Sequence, residues 1–405
     1  MQFPYFIFKR LNSSENGSFS RTIHKVAVAS VAFGLAAVLV SVMILDGFQH
    51  TIRDKIFALG GHLHVIKYTM GNSYEEEPIS LNIPLYQDPD QFDHVAHVQE
   101  FANKAGLLKT DEDVYGVLLK GVSHSFDTTR FAANIVEGRF PDIPDSGYSR
   151  EIIISRKIAS KLQLNVGDRV LMYFIMNPIR YRPLTISGLY NTALEDFDEK
   201  VILGDLNMIR RLNDWPDSLA GGLEVYLDNF NRVDEATDKL LDKIDYDLNA
   251  VKVTDRYIQI FDWFALLNRN VIIFTILIVS VASFNMISIL LILIMERTQM
   301  IGVLKALGAT NGQIRRIFSF NGMRLILRGM LIGNIVALAF GLLQQYFKII
   351  PLDPENYYME FVPISWNIPL MVGLNIGIFL LTSLVLALPT WLITRIRPIK
   401  AIRFS

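Results

Sequence analysis

Apolar residues in this chain gather into four long runs, and between the first two runs the pattern changes to short alternating segments. A membrane-crossing helix needs about 20 predominantly apolar residues. Val26–Leu45 contains twelve Val, Leu, Ile, Met or Phe residues and no charge. At roughly −0.3 to −0.6 kcal/mol each, these outweigh the small polar positions Ser30 and Ser41. The run starts too far in, and is too long, for a cleaved leader, and Asp46-Gly47-Phe48-Gln49 after it is no cleavage site. The second run is Val271–Met295. The third is Gly329–Leu343, lengthened on both sides by Leu325–Arg328 and Gln344–Phe347. The fourth is Ile368–Ile393.

Charges in the short loops predict the orientation. Lys9, Arg10, Arg21 and Lys25 precede the first run. Arg297, Lys305, Arg315, Arg316, Arg324 and Arg328 lie between the second and third, and Arg395, Arg397, Lys400 and Arg403 close the chain. The third-to-fourth connection carries Lys348, Asp353, Glu355 and Glu360 instead. Both termini are thus expected in the cytoplasm of a cell with an inner membrane, with the large insertion on the periplasmic side.

The predicted organisation is a cytoplasmic or interfacial segment 1–22, a first span 23–46, and an extracytoplasmic domain 47–265. A second span 266–296, a cytoplasmic segment 297–324 and a third span 325–347 follow. A periplasmic loop 348–366, a fourth span 367–394 and a cytoplasmic tail 395–405 complete the chain. Phe3, Tyr5, Phe6 and Phe8 before Lys9 and Arg10 read as an interfacial elbow.

Within the insertion the period alternates between that of strands and that of helices. His62–Tyr68, Tyr115–Val122, Glu151–Ser155, Arg169–Ile175, Pro183–Tyr190, Lys200–Leu203 and Gly222–Leu227 read as strands. Arg156–Leu162, Asp205–Leu212 and Arg232–Ile244 read as helices, and Asn177-Pro178 as a hairpin turn. Arg256–Asn270 reads as a helix entering the second span. The fold class expected is an α-helical membrane protein with four spans and a large α+β extracytoplasmic domain.

Composition narrows the function. Of 405 residues 51% are hydrophobic, the mean hydropathy is +0.30 and the formal net charge is −1. No basic excess exists to neutralise phosphates, so nucleic acid is not an expected partner. The absence of cysteine removes thiol chemistry and Cys-ligated metal sites. No H-E-x-x-H, G-x-S-x-G or P-loop occurs, so no catalytic residue is assigned, and ATP, if used, is bound with Mg by another chain. His62 with His64, and His94 with His97 near Glu100, have spacings open to zinc. Ordinary surface or core histidines explain them as well, and no metal is assigned. Glu75–Glu77 and Glu195–Glu199 read as solvated acidic loops.

The segment Glu296–Phe318, ERTQMIGVLKALGATNGQIRRIF, carries the strongest local signals. Met300, Ile301, Leu304 and Leu307 recur at helical spacing. Gly308 stops that helix, and Thr310 with Gln313 forms a T-x-x-Q capping box for the next. A short amphipathic helix at a membrane face fits either a groove on a cytoplasmic partner or lipid headgroups.

IGVLKALGAT…QIRRIF resembles the coupling segment of FtsX/MacB-type ABC permeases. Further stretches resemble the lipoprotein-releasing (Lol-type) branch of that superfamily. They are FIFKRLNSSENGSFSRTIHKVAVASVAFG, GFQHTIRDKIFALGGHLHVIKY, VYGVLLKGV, EIIISRKIASKLQLNVGDRV, VASFNMISILLILIMERT, LDPENYYMEFVPISW and LPTWLITRIRPIKAIRF, in order along nearly the whole chain. The resemblance implies a MacB-type periplasmic domain and two permease chains, identical or paralogous, working with two cytoplasmic ATPase subunits. It implies extraction of lipoproteins from the inner membrane and their transfer to a periplasmic carrier.

By position, it assigns Ile301, Leu304, Lys305, Ala306, Leu307, Gly308, Ala309 and Thr310 to ATPase coupling. Val38, Val42, Phe48 and Asn285 fall on a lipid-binding cavity between the first and second spans. Asn177, Pro178, Arg180 and Arg182 fall on a carrier-contacting hairpin, shorter here than the resemblance implies. An FtsX-like mechanotransmitter regulating a cell-wall hydrolase, or a permease for another envelope substrate, is the alternative. Gly329, Gly333, Ala337 and Gly341, spaced by four, and Gly373 with Gly377, predict close helix packing.

Overall fold

The computed structural model describes residues 18–69, 75–110, 113–144, 146–353 and 357–392. The aromatic elbow before Arg10, Glu355 and the basic tail from Arg395 lie outside the described residues. Two compact units emerge: one gathers the four long helices, the other comprises 51–262 with 352–360. Part of the segment expected as a simple loop, 348–366, therefore belongs to the second unit.

Among the described residues, that unit has twelve strands: β1 Leu63–Lys67, β2 Ile79–Ser80, β3 Val95–Lys109, β4 Val114–Val122, β5 Ile135–Gly138, β6 Glu151–Ser155, β7 Arg169–Phe174, β8 Arg180–Tyr190, β9 Val201–Asp205, β10 Leu219–Ala220, β11 Gly222–Leu227 and β12 Leu248–Lys252. Ten make one sheet in the order β12-β1-β11-β3-β4-β9-β6-β8-β5, with β7 pairing both β3 and β8. That second pairing closes β3-β4-β9-β6-β8-β7 into a ring. Closure requires Gly106, since a Cβ there would lie 2.7 Å from the Tyr173 carbonyl oxygen on β7. Strands β2 and β10 pair separately.

Local sequence explains the strand-to-helix steps. Ile152, Ile153 and Ile154 are fully buried in β6. Ser155 then leaves the strand and accepts from Ile158 N at 3.0 Å, capping the helix Arg156–Leu162. Asp205 ends β9 in the same way, accepting from Asn207 N at 2.8 Å. Glu75 and Glu76, expected to be solvated, instead clasp β3: Glu75 pairs with Lys104 at 2.7 Å, and Glu76 accepts from Asn103 N and Nδ2.

The four long helices are Ser18–Gly60, Ile258–Glu296, Asn311–Phe347 and Ile368–Val385. The second begins at Ile258, later than the expected Arg256, because the chain leaves helical geometry at Tyr257 (φ −110°, ψ 39°) after the turn Val253–Arg256. The fourth stops at Val385 and a short helix, Ala387–Leu392, follows. Pro389 is the reason: it has no N–H for the Val385 carbonyl, and its ring crowds that oxygen.

The four-residue stripe on the third helix is buried against the first. A Cβ on Gly333 would meet the Ala32 carbonyl oxygen at 2.7 Å, and one on Gly329 would meet Val31 Cβ at 2.7 Å. Gly341 lies under Met43 and Trp366. Gly373 and Gly377 differ from expectation, for nothing lies within 4 Å of a Cβ at either. The third and fourth helices are joined by a reciprocal amide pair. Asn334 Nδ2 donates to Asn375 Oδ1 at 2.8 Å, and Asn375 Nδ2 donates to Asn334 Oδ1 at 3.0 Å. Each amide also donates to the carbonyl four residues back, Met330 or Met371.

Candidate coupling elbow and periplasmic hairpin

Helix Thr298–Ala306 starts where Arg297 leaves helical geometry. Its end is a Schellman closure: Ala309 N donates to Leu304 O at 2.9 Å and Gly308 N to Lys305 O at 3.0 Å. Gly308 takes φ +93°, a conformation that favours glycine. Thr310 Oγ1 then accepts from Gln313 N at 3.3 Å, and Gln313 Oε1 from Thr310 N at 2.9 Å. Both boundaries of this elbow are thus written in residues 304–313.

Beneath the elbow Ile294, Ile301, Ile314 and Phe318 form a small core, with Met300 and Ala309 against it. The expected face Met300, Ile301, Leu304 and Leu307 is therefore split. Ile301 is fully buried and supports the elbow without being presented. Leu307, as the C-cap, has left the helical register and is 80% exposed. Val303, which the sequence reading did not assign, is 50% exposed. Ala306, Gly308 and Thr310 are exposed too, while Leu304, Lys305 and Ala309 are half-buried. The presented surface is a knob of Val303, Ala306 and Leu307 beside Lys305, whose partial burial lowers its ammonium pKa from the ordinary value.

The four expected cavity residues do not share a wall. Val38 is 1% exposed and packs in a helix–helix core with Leu35, Leu39, Ala337 and Ile378, which removes it as a cavity residue. Val42 is half-buried, and Phe48 is buried edge-on against Trp263, ring centroids 5.3 Å apart. Asn285 is exposed and donates to Ser30 Oγ at 2.9 Å, tying the second span to the first. Phe33 and Phe284, which were not assigned, stand exposed on those spans.

At the β7–β8 hairpin, Asn177 and Pro178 occupy the turn between Phe174 and Arg180. Arg180 is not presented outward. Its guanidinium donates to Leu212 O at 2.8 Å, the end of helix Leu206–Leu212, and pairs with Asp214 at 3.1 Å. Arg182 donates to Tyr181 O at 2.9 Å. The tip is apolar instead: Ile175 is 72% and Ile179 70% exposed, with Tyr181 beside them. Arg180 is thus held by local carbonyls and Asp214, and the side chains exposed at the tip are apolar.

The two histidine pairs hold structural contacts. His62 Nδ1 accepts from Leu227 N at 2.9 Å, and burial with nearby Arg130 lowers its pKa to about 4. His64 Nε2 donates to Gly60 O at 2.6 Å, and its Nδ1 accepts from Arg256 at 3.1 Å. Burial, then Arg256 and Lys120, hold it well below the usual range. Lys120 pairs with Glu224 at 2.6 Å and donates to Leu59 O, while Gln99 donates to Glu224 at 2.7 Å. This buried network fastens the carbonyl end of the first long helix, residues 59 and 60, to β1, β4 and β11. His97 binds Ser125 O at 2.8 Å, and His94 lies between Asp228 and Glu235. No group of three possible metal ligands occurs among the described residues.

Residues 26–243 match the family described as MacB-like periplasmic core domain, and residues 272–398 the FtsX-like permease C-terminal family. A membrane permease with its large soluble domain inserted after the first span is the class that fold and matches define together. The chain belongs to the MacB-like periplasmic core domain family.

Relatives match from end to end. The lipoprotein-releasing system transmembrane protein LolC of Haemophilus influenzae is 22% identical over 100% of both chains. LolC of Xylella fastidiosa (strain Temecula1) is 20% identical over 98% of this chain and 97% of its own. The LolE protein of Haemophilus influenzae is 21% identical over 92% of each.

Proposed function

We propose that this chain is the permease subunit of an ABC-type lipoprotein-releasing complex. It draws lipoproteins from the inner membrane and passes them to a periplasmic carrier. The observation that carries the reading is the end-to-end match, at 92–100% of both chains, to relatives named for that system. In this reading both termini are cytoplasmic. Two permease chains, copies or paralogues, work with ATPase subunits that bind ATP and Mg.

The chain's own residues would act at three places. Val303, Ala306 and Leu307 seat on the ATPase, and the capped ends of the elbow let it transmit a push without unwinding. Phe33, Phe284 and Asn285 on the first and second spans meet acyl chains in the cavity between permeases. Ile175 and Ile179 on the hairpin offer the carrier an apolar contact, the kind of surface a lipid-binding protein recognises.

The test is lipoprotein release from proteoliposomes holding the complex purified from membranes in mild detergent. Leu307→Asp buries a charge in the proposed docking surface and should leave bound lipoprotein in place while release falls at least ten-fold. Release at the unaltered rate would overturn the assignment of the elbow. Purification with a cell-wall hydrolase and no lipoprotein would replace the release reading with regulation.

A further inference from the structure

A cavity of about 160 Å³ lies within the unit of 51–262 and 352–360, walled by four segments far apart along the chain. Ile56 comes from the first long helix, Tyr257 and Ile260 from around the start of the second, and Tyr358 from the third-to-fourth connection. The acidic turn 194–199 makes the fourth wall. Asp198 accepts from Thr192 Oγ1 at 2.8 Å and from Ala193 N at 2.9 Å, which fixes that turn. Lys55 Nζ donates to the Tyr358 carbonyl at 2.8 Å and holds the opposite side in place. The Phe197 and Tyr257 rings meet at 5.6 Å between centroids.

The walls are one-sided in charge. Among the described residues no lysine or arginine lines the cavity, whereas Glu195, Asp196 and Glu199 do. Glu195 and Glu199 meet Lys157 through Oε1, at 2.8 and 2.9 Å, and Asp196 meets Lys200 through Oδ1 at 3.1 Å. The second oxygen of each carboxylate is left to accept. Independently of these acids, the Tyr257 hydroxyl has no hydrogen-bond partner among the described residues, and burial raises its pKa to about 12, so it stays protonated. Free acceptor oxygens beside aromatic and aliphatic walls match a primary alkylammonium. Its three N–H groups donate to the oxygens, its charge lies against the rings, and its methylenes lie along Ile56 and Ile260. From this cavity we infer a binding site for an alkylammonium group of lysine length. The space holds several waters at about 30 Å³ each, and so a short alkyl stem with its head. Anions are repelled here, and a quaternary ammonium has no N–H for the carboxylates.

The full chain in detergent micelles is titrated at neutral pH with Nα-acetyl-lysine methylamide and, separately, with cadaverine. Saturation-transfer NMR of the ligand methylenes reads binding. The lysine compound should bind, and acetylating its Nε, which removes the charge, should abolish the signal. Asp196→Asn with Glu199→Gln should weaken binding by about five-fold, because exposed charge pairs are individually modest. Tyr257→Phe, which keeps the ring, should weaken it by about three-fold. Both variants should melt at the wild-type temperature. Tighter binding of the capped lysine assigns a polypeptide source for the ammonium, and tighter binding of cadaverine a diffusible one. Binding of neither compound, binding that survives Nε-acetylation, or equal affinity in the wild type and all variants would overturn the site.

Discussion

The two units of this protein hide opposite things. Unit 51–262 hides charge: Glu224 is 1% exposed and holds Lys120 and Gln99, with His64 at 3.6 Å. The long helices hide the absence of side chains. Gly329, Gly333, Ala337 and Gly341 bring the backbone of the third helix against the first. Water explains the difference. A domain in water gains its stability by burying apolar area, and can carry a satisfied polar network inside that core. Helices in lipid gain nothing by exchanging lipid contact for leucine contact, so they associate through close approach and a few amide bonds.

Four measurements sharpen or break that contrast, from the largest effect to the smallest. Glu224→Ala leaves the Lys120 ammonium buried without its partner and should cost about 3–5 kcal/mol. Pulse proteolysis of residues 51–262 in urea reads this, and a cost below about 1 kcal/mol would mean water reaches the network. Gly333→Leu forces the third helix off Ala32 and should cost about 1–3 kcal/mol or more in a detergent melt. Gly373→Leu, where space is open, should cost almost nothing; equal losses would deny the stripe its role.

Acid reads the histidines next. The folded state holds His62 and His64 neutral below the pH at which the unfolded chain protonates them. Their stabilising contribution is complete above about pH 6.5 and is lost as pH falls, towards about 4 for His62; burial holds His64 well below its ordinary range as well. Moving from pH 6.5 to 5.5 should weaken 51–262 by about 1 kcal/mol for each histidine. His62→Gln should remove about half of the fall in the urea midpoint over that range. The smallest effect is at the amide pair, where Asn334→Ala should cost about 0.6 kcal/mol and at most about 1.7. A double-mutant cycle with Asn375→Ala isolates the pair, and no coupling would assign the helix contact to packing alone.

The elbow was legible because its signals are local. Gly308, Thr310 and Gln313 act within four residues of the bonds they make. Ser155 and Asp205 also act locally, as caps, though the sequence reading placed them in a strand and a helix. Strands β2, β3, β5, β10 and β12 were not legible. β3 reads Val-Ala-His-Val-Gln-Glu-Phe-Ala-Asn-Lys and holds Gln99, Asn103 and Lys104 buried, so it lacks clean alternation. Its strand state comes from pairing with β4, which follows it directly, and with β7 and β11, far away in sequence. The hairpin was found from its turn residues, but which side chains it presents was not. That depended on Leu212 and Asp214, about 30 residues on, reaching Arg180. Nothing in the sequence reading marked Asn334 or Asn375, and only the fold shows that they are partners.

By itself the sequence determined where four helices are apolar enough to cross a membrane, where the elbow begins and ends, and that the third helix has a small-residue face. These rest on runs of side-chain polarity and on bonds spanning a few residues. Tertiary structure alone decided that Ile301 is core and Leu307 surface, that Arg180 turns inward, and that β7 closes the ring on β3. Each of these is a competition between partners distant along the chain, and no local pattern records which partner arrives first.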